Sequence, residues 1–275
     1  MLIRQKKYGL LYHNLKLLIM RKILSISLLA LSTLVFVGCD KETDWKAKAE
    51  NVPAGKSFLK INYVSAYAAN PGVILSLNNA RVSNTITART PFPGGGYNTG
   101  GGSQGDYLGV AAGHNSLAVT IPNKSFYADS VVLFTTSLNL NPEKYYTVHI
   151  TDTASKTKVV VTMDDLTQPD TGSTRFRFIN LMPNVPAVDL YYGTTKVASN
   201  IAYLSTSDYV TMKVPATNLA WTIREAGAAP TSTALATYTS GNTTLSQRVY
   251  TAFAVGYKGS TDAARRPYIS FYLNK

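Results

Sequence analysis

An internal match without gaps, between residues 106–121 and 208–223, constrains the fold of this 275-residue chain most. DYLGVAAGHNSLAVTI and DYVTMKVPATNLAWTI share an Asp-Tyr pair and a Leu-Ala-x-Thr-Ile run. Further matches flank this one in the same order: FLKINYV (58–64) with RFRFINLM (175–182) through Ile61-Asn62 and Ile179-Asn180, RVSN with KVAS plus Asn200, and KYYTVHI with RVYTAFAV. Repetition of a supersecondary pattern predicts two homologous units.

Alternation of apolar and polar residues beyond Gly55 predicts an all-β fold, because side chains of a strand point to opposite faces in turn. Seven short strands within about a hundred residues of the second half favour a β-sandwich. The predicted strands are Arg175 to Leu181, Val188 to Tyr192, Tyr209 to Val214, Leu219 to Glu225, Leu235 to Tyr238, Arg248 to Gly256 and Tyr268 to Leu273.

The repeat also predicts which side chains form the two cores. Alternate positions of the matched segment should face inward, while Thr120 and Thr222 should face outward. The predicted core positions are Leu117, Val119 and Ile121 in the first unit, and Leu219, Trp221 and Ile223 in the second. The polar segment LTQPDTGSTR (166–175) reads as a linker, so we expect one β-sandwich repeat at 57–170 and another at 171–275.

The second repeat resembles a known family. FRFINLMPNVPAVDLYYGTTKVASNIAYLSTSDYVTMKVPATNLAWTI, followed by YTAFAVGY, is similar to the domain of unknown function 4397 family, repeated immunoglobulin-like domains of secreted and lipid-anchored bacterial proteins. Residues 174–257 match almost throughout; the first repeat matches less fully, with Ile74 where the second has Asp189. The resemblance implies tandem immunoglobulin-like sandwiches and an extracytoplasmic role, and it carries no functional residues to transfer.

The single cysteine, Cys39, lies where an apolar stretch gives way to charges. Residues 23–37 form an uncharged run of 15 behind Arg21 and Lys22, short for a membrane span and typical of a secretory signal peptide. VFVGC resembles the lipobox of bacterial lipoproteins, in which the cysteine is acylated. We therefore expect a signal peptide at 1–38, with Met20 as an alternative start, and lipidation of Cys39.

Residues 39–56 read as a flexible tether that carries the lipidated cysteine. Its first acidic residues, Asp40, Glu42 and Asp44, resemble the export signal that sends lipoproteins of the Bacteroidota to the cell surface. The expected location is thus the outer membrane, lipid-anchored and exposed at the cell surface; an orientation towards the periplasm is the alternative.

Half of the net positive charge belongs to the signal peptide. The formal net charge of the whole chain is +12, and it falls to +6 once the six basic residues before Cys39 are removed. A nucleic-acid binder concentrates Lys and Arg on one element, whereas only Arg265 and Arg266 are adjacent arginines here, and we interpret them as a solvated turn. The expected partner is therefore the membrane, through the lipid on Cys39, and not a nucleic acid.

No spacing in the chain suggests a catalytic or metal site. His114 falls in a predicted loop, and His149 in a strand, where we expect it to face solvent. Asp164, Asp165 and Asp170 could hold a calcium ion, but hydrated linker carboxylates are the preferred interpretation. We expect no cofactor, no metal and no catalytic residue.

The segment FPGGGYNTGGGSQGD (92–106) has no counterpart in the second repeat. It lacks the Lys-Ser/Thr of a phosphate-binding loop, and we expect a mobile insertion whose shortening changes the free energy of unfolding by at most about 1 kcal/mol. The alternative is a binding loop, with Tyr97 as an aromatic contact. Tyr191 and Tyr192 are the other candidate ligand-binding residues, and because they are adjacent in a strand at most one should be exposed.

The sequence thus predicts a lipid-anchored protein of the cell envelope with a non-catalytic binding or scaffolding role. A glycan-binding accessory lipoprotein of a polysaccharide uptake system is the first alternative, and an enzyme is the second. The partner would be a glycan or an envelope protein.

Overall fold

The computed structural model describes residues 55–123 and 130–275. The predicted signal peptide, Cys39 and most of the tether lie outside the described residues. The strands that precede the predicted linker are β1 (Lys56–Tyr63), β2 (Ile74–Leu77), β3 (Ala80–Arg81), β4 (Thr90–Phe92), β5 (Leu108–Ala111), β6 (Gly113–Ile121), β7 (Val131–Leu140), β8 (Tyr145–Thr151) and β9 (Lys158–Met163).

The strands of the second repeat include all seven that the alternation predicts, with ends shifted by up to two residues. They are β10 (Ser173–Asn180), β11 (Ala187–Tyr192), β12 (Thr195–Ala202), β13 (Val210–Lys213), β14 (Trp221–Glu225), β15 (Ala236–Tyr238), β16 (Val249–Val255) and β17 (Tyr268–Leu273). Only β12 was not predicted. Two short 3₁₀ helices, Ala154–Lys156 and Gly241–Thr243, complete the described secondary structure.

Each repeat is a β-sandwich of two sheets, as the sequence predicts. In the first repeat, one sheet has the order β4-β1-β8-β9, with β5 also paired to β1, and the other has the order β3-β2-β6-β7. In the second, the sheets are β13-β10-β16-β17 and β12-β11-β14-β15. The first strand of each repeat pairs parallel with a late strand, β1 with β8 and β10 with β16, and the other pairings between strands are antiparallel.

Each sandwich encloses its own apolar core. Trp221 and Phe271 lie in the second core and Leu117 and Val148 in the first. A third apolar cluster joins the repeats, since Val64 of the first packs with Ile179, Phe253 and Tyr272 of the second. All described residues belong to a single compact unit, so division into domains at 57–170 and 171–275 stays a prediction.

Strand pairing corrects the sequence alignment of the two repeats in two places. Leu59 pairs with Tyr146 as Phe176 pairs with Tyr250, so Ile61 is equivalent to Phe178 and the matched Ile-Asn pairs are offset by one residue. The consequence is physical, because a shift of one residue exchanges the faces of a strand. Ile61 is a core residue of the first sandwich, while Ile179 belongs to the cluster between the repeats.

The gapless match of 106–121 with 208–223 is correct only at its beginning. Leu108 pairs with Leu59 as Val210 pairs with Phe176, so the beginning of the match is correct. In the other sheet of each repeat, Leu117 pairs with Leu77 as Trp221 pairs with Tyr192. Trp221 is therefore equivalent to Leu117 rather than to Val119. An even shift preserves the faces, so Trp221 and Ile223 are buried as predicted, but Leu219 precedes β14 and is exposed.

Candidate functional site

The glycine-rich insertion is attached to the second repeat. It leaves the edge of β1 between β4 and β5, and Tyr97 pairs with Phe271 of β17: its N–H donates to the Phe271 carbonyl at 2.7 Å and its carbonyl accepts from the Phe271 N–H at 3.0 Å. The amide nitrogen of Asn98 donates to the Ile269 carbonyl at 2.7 Å. We expected a mobile insertion, but these hydrogen bonds attach the segment to the outer edge of β17.

Glycine is required where the insertion turns and where it meets β17. Gly95 has a φ of +65°, and a Cβ at this position would collide with the Gly102 carbonyl. A Cβ at Gly96 would collide with the Phe271 carbonyl oxygen, the acceptor of the Tyr97 N–H. Gly102, by contrast, has open space around its Cβ position. The sequence predicted a mobile insertion from this composition, but two of these glycines allow close approach of backbones.

The three tyrosines predicted to bind a ligand are less accessible than expected. Tyr97 is half-buried, and its ring centroid lies 6.2 Å from that of Tyr250. Tyr192 packs on Trp221 and its hydroxyl accepts from the Leu219 N–H at 3.0 Å. Tyr191 faces the other way, yet Lys196 and Arg224 lie over its ring and leave it 2% exposed. Both members of the adjacent pair are buried, which agrees with the expectation that at most one is exposed; ligand binding at these residues stays a prediction.

A cleft of about 480 Å³ lies where the insertion meets the second repeat. Asn98 comes from the insertion, Thr237 and Tyr238 from the edge strand β15, Arg266 from the loop that leads into β17, and Tyr268 from the start of β17. The guanidinium of Arg89 stacks on Tyr268 at 3.5 Å from the ring centroid, and the Arg266 Nε donates to the Tyr268 hydroxyl at 2.8 Å. Both repeats therefore contribute to the walls of a polar cleft with aromatic side chains.

The residues of this cleft were not predicted from the sequence. Arg266 was interpreted as part of a solvated turn, and it is exposed, but its side chain lines the cleft together with Ser260 and Thr261. Composition offered no signal, because the residues that meet here come from three distant segments. The pairing of Tyr97 with β17 brings Asn98 to the other two segments, which meet within the second repeat.

A buried polar layer lies between the repeats, on the outer faces of the sheets that contain β1 and β10. Arg177 of the second repeat forms an ion pair with Asp164 of the first, and both side chains are almost fully buried. Asp164 also accepts from the hydroxyls of Tyr107, at 2.9 Å, and Thr147, at 2.6 Å. The interpretation of Asp164 as a hydrated linker carboxylate is wrong, since its oxygens are occupied by protein donors.

Lys60 is the counterpart of Arg177 in the first repeat. Its ammonium lies over the rings of Tyr107 and Tyr272, 4.7 and 5.4 Å from their centroids, and donates to the Leu273 carbonyl at 3.1 Å. Burial lowers the pKa of Lys60 to about 8, against the opposing effect of Asp164 and Asp106. Burial opposes the charge of Arg177 too, but the Asp164 carboxylate, together with Tyr272 and Tyr209, outweighs it and raises the pKa of that guanidinium.

His149 belongs to this layer and is fully buried, so its predicted exposure to solvent is wrong. Its Nδ1 lies 3.1 Å from the amide nitrogen of Asn62, and its Nε2 lies 3.4 Å from the Tyr272 hydroxyl. Burial, with a smaller contribution from Arg177, lowers the pKa of His149 well below its ordinary value, so the ring is neutral at pH 7. The histidine is thus a buried hydrogen-bonding residue at the junction of the repeats.

Within residues 55–123 and 130–275, no group of three His, Cys, Asp or Glu side chains is arranged to hold a metal ion. In the same ranges, no helix has the length and apolarity needed to cross a membrane.

Comparison with known proteins gives one family and a weak structural likeness. Residues 59–191 match the family described as a domain of unknown function, DUF4397; this stretch lies mainly on the first repeat, whereas the fuller resemblance had been placed at 174–257. No curated protein matches the chain. A solved structure from Bacteroides uniformis, whose name proposes a role in cell adhesion, is 10% identical, covers 80% of this chain and 98% of its own, and has a TM-score of 0.20. That score is too low to transfer fold or function.

Proposed function

We propose that this chain, whose residues 59–191 match the DUF4397 family, is a lipid-anchored protein of the outer membrane that binds a partner without transforming it. The observation that supports binding is the cleft between the insertion and the second repeat. Its walls combine β15, the start of β17, the loop that precedes β17 and the insertion segment paired to β17, and the cleft is open without a ligand. A preformed polar cleft at the junction of two modules is a common place for a ligand.

The ligand in this cleft is tested by two neighbouring arginines. Arg266 lines the cleft, whereas Arg265 lies over the Tyr257 ring, 4.8 Å from its centroid, and does not line it. Arg266→Ala should weaken binding of an envelope partner at least tenfold, and Arg265→Ala should leave it within twofold. The measurement is the affinity of each purified variant for a partner isolated by crosslinking on intact cells. Equal affinities of the two variants would contradict binding in the cleft.

A glycan is the second candidate ligand. The cleft combines the hydroxyls of Thr237, Ser260 and Thr261 with a guanidinium and the Tyr238 ring, groups that hydrogen-bond and pack against a sugar. A glycan array should then show saturable binding that Arg266→Ala abolishes and Arg265→Ala retains. An array without saturable signals would leave the envelope protein as the ligand.

The lipid anchor rests on Cys39 and the apolar run before it. Cys39→Ser should abolish incorporation of a labelled fatty acid and release the protein from membranes, because serine lacks the thiolate that takes up the diacylglyceryl group. Undiminished label in the variant would contradict the anchor.

Surface display is proposed from the acidic residues that follow the cysteine. Replacing Asp40, Glu42 and Asp44 with alanine should keep the protein in the membrane but protect it from protease added to intact cells. Equal digestion of the variant and the parent would place the display signal elsewhere.

A further inference from the structure

The outer edge of β9 in the first repeat is the counterpart of the covered edge of β17. Tyr146 and Tyr250 occupy equivalent places, and Val161 pairs with Val148 as Phe271 pairs with Ala252. Val161 is thus the residue of the first repeat that corresponds to Phe271. Both β9 and β17 are the last strands of their sheets.

The phase of the hydrogen bonds decides which groups of β9 point outward. The Asp164 N–H donates to the Tyr145 carbonyl at 2.8 Å, so alternate residues from Lys158 onward bond to β8. In an antiparallel ladder the residues between them direct their N–H and carbonyl groups away from the partner strand. Val159 and Val161 therefore present outward-facing backbone groups, and among the described residues no strand or bridge pairs with them.

The side chains at this edge are unusually exposed for apolar residues. Val161 is 43% exposed and Met163 is 59% exposed, although both lie on the face of β9 that is directed to the core. In the second repeat Trp221, Tyr238 and Phe271 fill the corresponding space. The first repeat has Leu117, Thr136 and Val161 at these places, which are smaller side chains.

We propose that the edge of β9 is a docking site for an extended, uncharged polypeptide segment of a partner protein, which pairs antiparallel with Val159–Val161 and brings one aromatic side chain. This mode adds a strand to an open sheet edge. The occupant is inferred from the equivalent edge, which is covered by an extended, uncharged segment that carries Tyr97. Residues 159–163 carry no charge that would have to be buried when such a segment docks.

The contacts that hold the insertion on β17 have counterparts on β9. Tyr97 packs beside Tyr250. Tyr146 is equivalent to Tyr250, so an aromatic side chain of the partner would pack beside Tyr146. The Asn98 amide donates to the Ile269 carbonyl, and Val159 is the residue equivalent to Ile269. A peptide that copies residues 94–100, GGGYNTG, is therefore a rational probe.

The experiment measures fluorescence anisotropy of the labelled GGGYNTG peptide as the full chain is added. Val161→Pro removes the outward N–H without breaking the ladder to β8, because proline is tolerated on an edge strand when its nitrogen faces outward. Val161→Thr keeps the backbone groups and is the matched control. We expect Val161→Pro to weaken binding at least tenfold, Val161→Thr to stay within twofold of the parent, and a peptide with alanine for tyrosine to bind at least tenfold more weakly.

The outcome is read with two controls. Thermal unfolding of both variants should match that of the parent, and hydrogen exchange should show that the peptide protects the Val161 amide and leaves the Phe271 amide unchanged. The proposal is overturned by equal affinities of Val161→Pro and Val161→Thr, or by no binding to the parent up to millimolar peptide. It is also overturned if the parent self-associates and Val161→Pro does not, because the occupant would then be a second copy of the chain.

Discussion

The edges of the two sandwiches differ although the repeats share their topology. In the second repeat the edge at β15 and β17 is closed by Trp221, Tyr238 and Phe271, and the insertion pairs with β17 from outside. In the first repeat all four exposed large apolar side chains among the described residues lie on the edge strands, namely Val131 and Val132 on β7 and Val161 and Met163 on β9. The two repeats share one architecture, and side-chain volume with one insertion makes one edge closed and the other open.

The same strand order serves two purposes in the two repeats. An edge that is covered contributes to stability, because its backbone groups are paired and its aromatic side chains are buried. An edge that is left open keeps backbone groups available for another chain. The two repeats therefore divide these tasks between them.

The largest effect should come from the closed edge. Trp221 is fully buried against Phe176, Tyr192 and Phe271, and its Nε1–H donates to the Thr243 hydroxyl at 3.0 Å. Trp221→Ala should lower the free energy of unfolding by about 3 to 5 kcal/mol. The equivalent Leu117→Ala at the open edge should cost only about 2 kcal/mol. Urea unfolding measures both, and equal losses would show that the two edges are packed alike.

The contribution of the contact between the repeats to stability can be tested by substituting two arginines that pair with neighbouring carboxylates. Arg177→Met leaves Asp164 buried without its partner and should cost about 3 to 5 kcal/mol. Arg175 pairs with Asp165 at 2.7 Å near the surface, so Arg175→Met should cost at most about 1 kcal/mol. Thermal unfolding of both variants checks this difference, and a cost below about 1 kcal/mol for Arg177→Met would mean that the repeats do not depend on the buried pair.

The sequence predicted the strands and the sandwiches because alternation reports which residues share a face. It kept Trp221 in the core despite a wrong register, since the error was an even number of residues. At Ile179 the alignment of the repeats was wrong by one residue, so the predicted face of the strand was wrong. At His149 the predicted exposure was wrong, because alternation does not tell what covers the outer face of a sheet. The buried layer of Lys60, Asp164 and Arg177 exists only because two outer faces meet.

Burial of Lys60 between the repeats should make the free energy of unfolding depend on pH. Its pKa falls from 10.5 in the unfolded chain to about 8 in the folded one, so the unfolded chain binds more protons between these values and stability rises with pH across that window. The free energy of unfolding of the parent relative to Lys60→Met should increase by about 2 kcal/mol from pH 8 to pH 10. Denaturant titrations at several pH values measure it. A flat difference would mean that Lys60 titrates at its ordinary pKa.

Two glycines of the insertion test how firmly the closed edge is covered. Gly96→Ala places a methyl group against the Phe271 carbonyl and should disrupt two backbone hydrogen bonds, at a cost of about 1 to 2 kcal/mol. Gly102→Ala has open space and should change stability by at most about 0.5 kcal/mol. Thermal unfolding distinguishes the two variants. Identical melting temperatures would mean that the contact of the insertion with β17 does not contribute to stability.

The most direct test of the two edges is hydrogen exchange of two amides in the same folded molecule, resolved by NMR. The Phe271 N–H donates to Tyr97, whereas the equivalent Val161 N–H points outward from β9 with no backbone pairing among the described residues. The account predicts that the Phe271 amide exchanges at least about a hundredfold more slowly than the Val161 amide, and that Gly96→Ala removes most of this difference. Equal protection of the two amides in the parent would contradict the claim that one edge is closed and the other is open.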